Sequence, residues 1–316
     1  LNMAIPVYLF VGFLEAGKTT FVQETLEDPD FNTGEKTLMV LCEEGEQEYE
    51  AGRFAGGNVR FMTVEQESDL CVPLFKEYQR QHRIDRVLME YNGMWNLQSL
   101  YDAMPKDWEI YQMICVADAT TFESYLNNMR QLAVDKLKEP EVVLFNRCTE
   151  KTDKTYLHRA VRMVNRRAQI IFEYTDGSIQ QDDTVDVLPW DETPGKIQLA
   201  DEDFGIWYLD AMENPEKYDG REISMKAYVC QTPRVPKGTF VAGRFAMTCC
   251  ADDISYIGVI CEAANAQEYK HRSWVNIEAE IVPMEHEVYG GPGVALRAKS
   301  VTKAEPPQEE LVYFLR

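Results

Sequence analysis

The chemistry most readily read in this chain is concentrated in Gly12-Phe13-Leu14-Glu15-Ala16-Gly17-Lys18-Thr19. The run satisfies G-x-x-x-x-G-K-[ST] at every fixed position, and its parts divide the work of holding a polyphosphate. Gly12 and Gly17 let the backbone curl so that the N–H groups from Glu15 to Thr20 point at phosphate oxygens. Lys18 neutralises β- and γ-phosphate charge, and Thr19 offers a hydroxyl to Mg²⁺. The loop needs a buried strand before it and a helix N-terminus after it, whose dipole favours an anion. Both are present, as the apolar run Ile5–Val11 and a helical pattern from Lys18 to about Leu26. The expectation is a nucleoside triphosphate bound with Mg²⁺.

The elements that must position this loop alternate along residues 1–177. Strands are predicted at 37–42, 86–90, 111–116, 141–145 and 169–172, with helices at 70–81, 97–104, 121–137 and 154–166. Strands joined by helical crossovers imply an α/β fold with a mostly parallel sheet flanked by helices. Its ligand site lies beyond the carboxyl ends of the strands. Residues 178–196, polar and holding Pro189 and Pro194, read as a linker. Residues 197–316 open with an amphipathic helix at 201–212. Five strands follow, near 223–230, 239–249, 256–261, 274–282 and 295–302, the pattern of a small β-barrel, for which an OB-like order is one option. Gly290-Gly291-Pro292-Gly293 has no Lys-Thr and reads as a β-turn loop, while His82 and His158 read as surface residues of helices.

The bulk numbers narrow the function classes. A chain of 316 residues, 45% apolar and 27% charged, fits two globular domains. Its 53 acidic and 32 basic residues give a net charge of −21, which makes it a poor generic binder of DNA, RNA or anionic lipid. No run approaches 18 uncharged apolar residues, and Ile5–Val11 lacks the basic flank of a signal peptide. The eight cysteines are scattered, so a cytoplasmic chain without a disulfide framework is expected.

Further segments, taken in order, are similar to the CobW-like metal-related GTPases, the wider group that includes UreG and HypB. Gly-Phe-Leu-x-x-Gly-Lys-Thr-Thr resembles that family's phosphate loop. Glu43-Glu44-Gly45-Glu46 resembles its acidic segment, Glu90-Tyr91-Asn92-Gly93 its Glu-Thr-Thr-Gly, Val116-Ala117-Asp118-Ala119 its Val-Asp-Ala, and Phe145-Asn146-Arg147 its Leu-Asn-Lys. The resemblance spans about residues 4–175 and implies GTP as the nucleotide. Glu44 or Glu46 then reaches Mg²⁺ or its water shell, Glu90 orients the attacking water, and Gly93 N–H senses the γ-phosphate. The bland alternative for each acid is a solvated loop. Asp118 serves either as a second carboxylate of the site or as a helix cap. Asn146 and Arg147 stand where the base is read, Arg147 stacking through its stem.

Two departures matter. The guanine-reading Asn-Lys-x-Asp becomes Asn146-Arg147-Cys148-Thr149, and a hydroxyl cannot replace a carboxylate that accepts two hydrogen bonds, so ATP stays open. The family's Cys-x-Cys-Cys metal motif is reduced to Cys71.

Residues 197–316 resemble the C-terminal domain of YcgQ-type proteins, most specifically at Cys249-Cys250-Ala251-Asp252. That resemblance implies an integral-membrane permease as partner, with the chain peripheral to the membrane. Cys249 and Cys250 could bind Zn²⁺ or another soft metal if the chain turns there, joined by Cys261, Asp252, His271 or His286; otherwise they are ordinary thiols. The leading expectation is a slow Mg²⁺-dependent NTPase, a switch or metallochaperone for a permease or metalloprotein, with Lys18 and Glu90 in catalysis. The alternative is a non-hydrolysing, nucleotide-binding accessory subunit of a transporter. A homodimer is left open.

Overall fold

The computed structural model describes residues 4–43, 45, 47–184, 188–190, 195–247 and 254–313. Two compact units emerge, residues 1–183 and 184–316. Among the described residues no helix is long and apolar enough to cross a membrane.

In the first unit the apolar run becomes the central strand β1 (Ile5–Val11), whose Val7 and Leu9 are fully buried. The chain then forms α1 (Lys18–Glu27), β2 (Thr37–Leu41), β3 (Val59–Thr63), α2 (Val72–His82), β4 (Arg86–Glu90) and α3 (Leu97–Ala103). It continues through β5 (Trp108–Asp118), α4 (Phe122–Asn128), α5 (Arg130–Leu137), β6 (Val142–Cys148), α6 (Lys154–Arg162), β7 (Gln169–Tyr174) and β8 (Ile179–Gln181). The sheet order is β3-β2-β4-β1-β5-β6-β7-β8, parallel except for β8. Strands buried on both faces read as continuous apolar runs, as in β1 and β4.

Successive strand residues face opposite ways. Phe10, Leu88, Ile114, Val116 and Leu144 meet Val22 and Leu26 of α1 on one face. On the other, Phe145 of β6 packs edge-on against Phe122 of α4. The α/β expectation holds, with local corrections. The edge strand β3, with its mixed burial, has no counterpart among the predicted strands. The helix expected over 121–137 breaks at Met129, whose φ of −130° and ψ of 41° are not helical. Ile179–Gln181 is not linker: it turns back as β8 and pairs antiparallel with β7. His158 is buried rather than exposed, because its Nδ1 lies 2.5 Å from Asp182 Oδ2 just past β8.

The second unit contains β9 (Lys196–Gln198), α7 (Phe204–Glu213), β10 (Glu222–Cys230), β11 (Thr239–Met247), β12 (Ile254–Glu262), β13 (Trp274–His286), β14 (Gly291–Lys303) and β15 (Leu311–Val312). Pairing runs β10–β11–β12–β14–β13 and back to β10, which closes a five-stranded barrel. Its third and fifth strands, β12 and β14, are parallel and the other neighbours in the ring antiparallel, which is OB-type order. Alternation drives closure: Ile223, Met225, Ala227 and Val229 of β10 are buried, and their neighbours are not. Gly291, Pro292 and Gly293 begin β14 and pair with Met284–His286 of β13, so the glycine-rich run is strand where a loop was expected.

Candidate nucleotide site

The phosphate loop leaves β1 at Gly12, whose φ of +137° strains any residue with a Cβ. A Cβ there would also stand 2.0 Å from Val116 O of β5. Glu15 and Gly17 follow with positive φ, and α1 begins without a side-chain cap. Its first backbone N–H groups are therefore available to an anion. Lys18 curls back over the loop: Nζ donates to Gly12 O at 2.9 Å and to Phe13 O at 2.8 Å. Ala16 is buried and Glu15 exposed.

The third partner of Lys18 is Glu43 Oε2 at 2.5 Å, an ion pair whose side chains are 2% and 7% exposed. The other oxygen of Glu43 accepts from Gly93 N–H at 3.3 Å. Asn92 braces that turn by donating to Cys42 O at 3.0 Å and accepting from Met94 N–H at 2.8 Å. One carboxylate thus bridges the loop lysine and the amide that follows β4.

Glu90 ends β4 beside the start of α1. Thr19 Oγ1 donates to its Oε1 at 2.8 Å and Tyr49 OH to its Oε2 at 2.5 Å. Burial raises the Glu90 carboxyl above the ordinary range, against the lowering pull of Tyr49, Thr19 and Lys18, with Glu43 adding to the rise. Tyr49 is pushed up by burial and by Glu90, so it remains a proton donor. The four oxygens of Glu43 and Glu90, with the Thr19 hydroxyl, line the phosphate end of the loop. Thr19 and Glu90 are hard oxygen donors, a set that fits Mg²⁺.

On the opposite side Asn146 Nδ2 donates to Ala16 O at 2.7 Å, which ties β6 to the loop. Arg147, at φ +54°, donates to Glu15 O at 2.9 Å and pairs with Asp118. Asp118 also accepts from Thr120 N–H at 2.8 Å, so it holds a turn and an arginine beside the loop. Burial alone would raise its carboxyl, but Thr120 and Arg147 bring it below the usual range. Thr20 Oγ1 donates to Gln47 Oε1 at 2.7 Å.

Gly12, Glu15, Ala16, Gly17, Lys18, Thr19, Thr20, Asn146, Arg147 and Glu90 are therefore brought to one region, at the carboxyl ends of β1, β4 and β6. Sequence reasoning placed Glu43 in the acidic segment but gave the role there to Glu44 or Glu46, and it passed over Tyr49. Glu43 stands two residues past β2, whose Leu41 is in register with Glu90, and its place in the acidic run after that strand was the one signal in the sequence. Glu44 and Glu46, considered for Mg²⁺, lie outside the described residues, as do Cys249, Cys250 and Asp252. Cys261 is buried in the barrel and its thiol is pushed up to about 12 by burial. His271 Nδ1 accepts from Gln231 N–H, 40 positions away, and His286 Nδ1 from Val288 N–H within its own turn. Among the described residues no group of three or more His, Cys, Asp or Glu could hold a metal ion.

No curated protein sequence matches the chain significantly. Solved structures similar to it include a zinc-bound triple mutant of the YjiA GTPase, with 17% identity and a TM-score of 0.43, covering 73% of this chain and 74% of that one. Another is the hydrogenase maturation factor HypB from Archaeoglobus fulgidus, with 15% identity and a TM-score of 0.34, covering 55% and 82%. Residues 174–314 match the family profile described as the DUF1980 C-terminal domain. Residues 6–172, more than half of the chain, match that of the CobW/HypB/UreG nucleotide-binding domain, and the chain belongs to this family.

Proposed function

We propose that the chain binds a nucleoside triphosphate, GTP in the first instance, together with Mg²⁺, hydrolyses it slowly, and acts as a switch for a permease or metalloprotein that handles a metal or small solute. The observation that carries this reading is the bridging carboxylate. Glu43 lies between Lys18 Nζ and Gly93 N–H, and a terminal phosphate needs a cation and an amide of this kind. An anionic group seated there stands in for phosphate, and an incoming triphosphate displaces it from Lys18 and Gly93.

Thr19 and Glu90 would hold Mg²⁺, which when bound supplies positive charge to the β- and γ-phosphates. Glu90 also orients the attacking water, and Tyr49 holds the carboxylate in place. Lys18 and the backbone amides stabilise charge that develops on the transferred group. Arg147 is engaged by Glu15 O and Asp118 on the base side, away from the end where that charge develops. Turnover without a partner is accordingly slow. The partner itself is inferred from the second unit's resemblance to domains that accompany permeases.

Calorimetric titration of wild type and Lys18→Ala with GTP and with ATP, each with Mg²⁺, tests the reading. Tight binding lost in Lys18→Ala supports it, and binding indifferent to Lys18 sinks it. Single-turnover assays then separate a slow hydrolase from an accessory subunit that keeps its triphosphate intact.

A further inference from the structure

The base-reading motif lacks its carboxylate, but the fold brings another to the same place. A cavity of about 390 Å³ opens beside the phosphate loop, lined among others by Gly17, Thr20, Glu24, Asn146 and Glu173. Thr149, where the motif carboxylate belongs, is occupied locally: its N–H donates to Thr152 Oγ1 at 2.9 Å and its hydroxyl accepts from Lys151 N–H at 3.2 Å. It does not line the cavity.

Glu173 is brought there by strand register. Phe145 of β6 pairs with Phe172 of β7 and Cys148 with Tyr174, so Asn146 and Arg147 bulge opposite the single residue Glu173. Phe172 stacks on Phe145 on the face away from α1. Ile171, of opposite parity, packs into the cluster around Val22 and Leu26 of α1. Glu173 shares the parity of Ile171 and so faces α1, where Glu24 lies.

Both anchoring groups are short of partners. Asn146 Nδ2 gives one N–H to Ala16 O and has a second to offer. The half-buried Glu173 carboxylate accepts no side-chain hydrogen bond among the described residues. Partial burial, then the charge of Glu24, raises it above its ordinary value, which marks a carboxylate in need of donors.

We propose that Glu173 reads the guanine base in place of the missing motif carboxylate, accepting from N1–H and the 2-amino group while Asn146 Nδ2, which keeps one N–H on Ala16 O, donates its other to the O6/N7 side. This rests on the nucleotide reading above and deepens it by naming the base. Two donors side by side suit the two oxygens of a carboxylate. Adenine offers one donor beside the N1 lone pair, which a carboxylate repels, so the pocket discriminates against ATP.

The test is calorimetry on the full chain with Mg²⁺ and the triphosphates of guanosine, adenosine, inosine and xanthosine. Wild type should prefer GTP to ATP by about ten- to hundredfold, and to inosine triphosphate, which lacks the 2-amino group, by about tenfold. Glu173→Gln presents an amide donor to the 2-oxo group of xanthine, so GTP should weaken about tenfold or more while xanthosine triphosphate tightens. The inosine comparison uses wild type only and does not depend on how the variant folds. Equal wild-type binding of GTP, ATP and inosine triphosphate overturns the assignment, as does an unaltered preference in Glu173→Gln. In either case nucleotide binding that still depends on Lys18 leaves the broader reading standing. If no Lys18-dependent binding exists, both fall.

Discussion

Replacing Glu43 by Ala removes the anion that occupies Lys18 in the nucleotide-free chain. The ammonium then keeps Gly12 O and Phe13 O, at 2.9 and 2.8 Å, but has no counter-charge. Deleting one member of a buried ion pair costs about 3–5 kcal/mol. The two remaining carbonyls and entering water offset part of this, since hydrogen bonds to charged groups contribute about 1.5–3 kcal/mol each. A net loss of about 1–3 kcal/mol in the stability of the nucleotide-free first unit is expected. With a triphosphate bound, phosphate takes both Lys18 and Gly93, and Glu43 has left in either protein. The loss therefore falls on the free state alone, and linkage requires nucleotide affinity to rise by the same amount, roughly five- to 150-fold. Melting curves of the free and nucleotide-saturated chain give the first quantity, and calorimetric Kd values for GTP and GDP give the second. GDP, lacking the group that competes with Glu43, should gain less than GTP. Glu43→Gln keeps the size of the side chain and an oxygen for Gly93 N–H, and should fall between. The reasoning is refuted if Glu43→Ala weakens GTP binding, because Glu43 would then belong to the bound state as a ligand.

Two further outcomes follow from the same site. The Glu90 carboxyl titrates above its unfolded value, so between those two pKa values the folded chain holds the extra proton. Its contribution is fully present below the unfolded value and is lost as pH rises through the folded one; in melts at pH about 4 to 8, wild type should lose ground to Glu90→Gln as pH rises, and parallel curves would contradict the raised carboxyl. With nucleotide, Glu90→Gln should reduce turnover by about a hundredfold or more, read as phosphate release, while GTP still binds. At Gly93 the constraint is space: a Cβ would stand 2.6 Å from Gly12 O and 2.7 Å from Phe13 Cα, both backbone atoms that move only with the loop. Gly93→Ala should destabilise the first unit by about 1–3 kcal/mol and weaken GTP more than GDP, seen by melting and calorimetry; a wild-type GTP affinity would show that the turn has slack.

What the sequence made legible at this site is what the chain settles locally. The phosphate loop is eight consecutive residues with a strand before and a helix after, and each of those is a short-range pattern. Asn146 was legible only through the resemblance of Phe145-Asn146-Arg147 to the family's Leu-Asn-Lys. Glu43 was not, because its role needs the order β2-β4-β1, which puts the end of β2 next to the end of β4 and both within reach of Lys18. That bond spans 25 positions, and the Thr19–Glu90 bond spans 71. The same holds at the base side, where Glu173 looks like an ordinary edge acid until β6 and β7 are set in register. In the second unit, alternation marked five strands, but alternation is indifferent to which strands are neighbours. The parallel β12–β14 pairing joins residues brought together only by closure of the barrel. The first residues of the expected linker depart for a related reason: Ile179-Gln180-Gln181 is a short run with one apolar residue, and becomes a strand only because β7 offers a free edge to pair with. Local pattern thus located the phosphate loop, while the carboxylates that engage it are set by strand order.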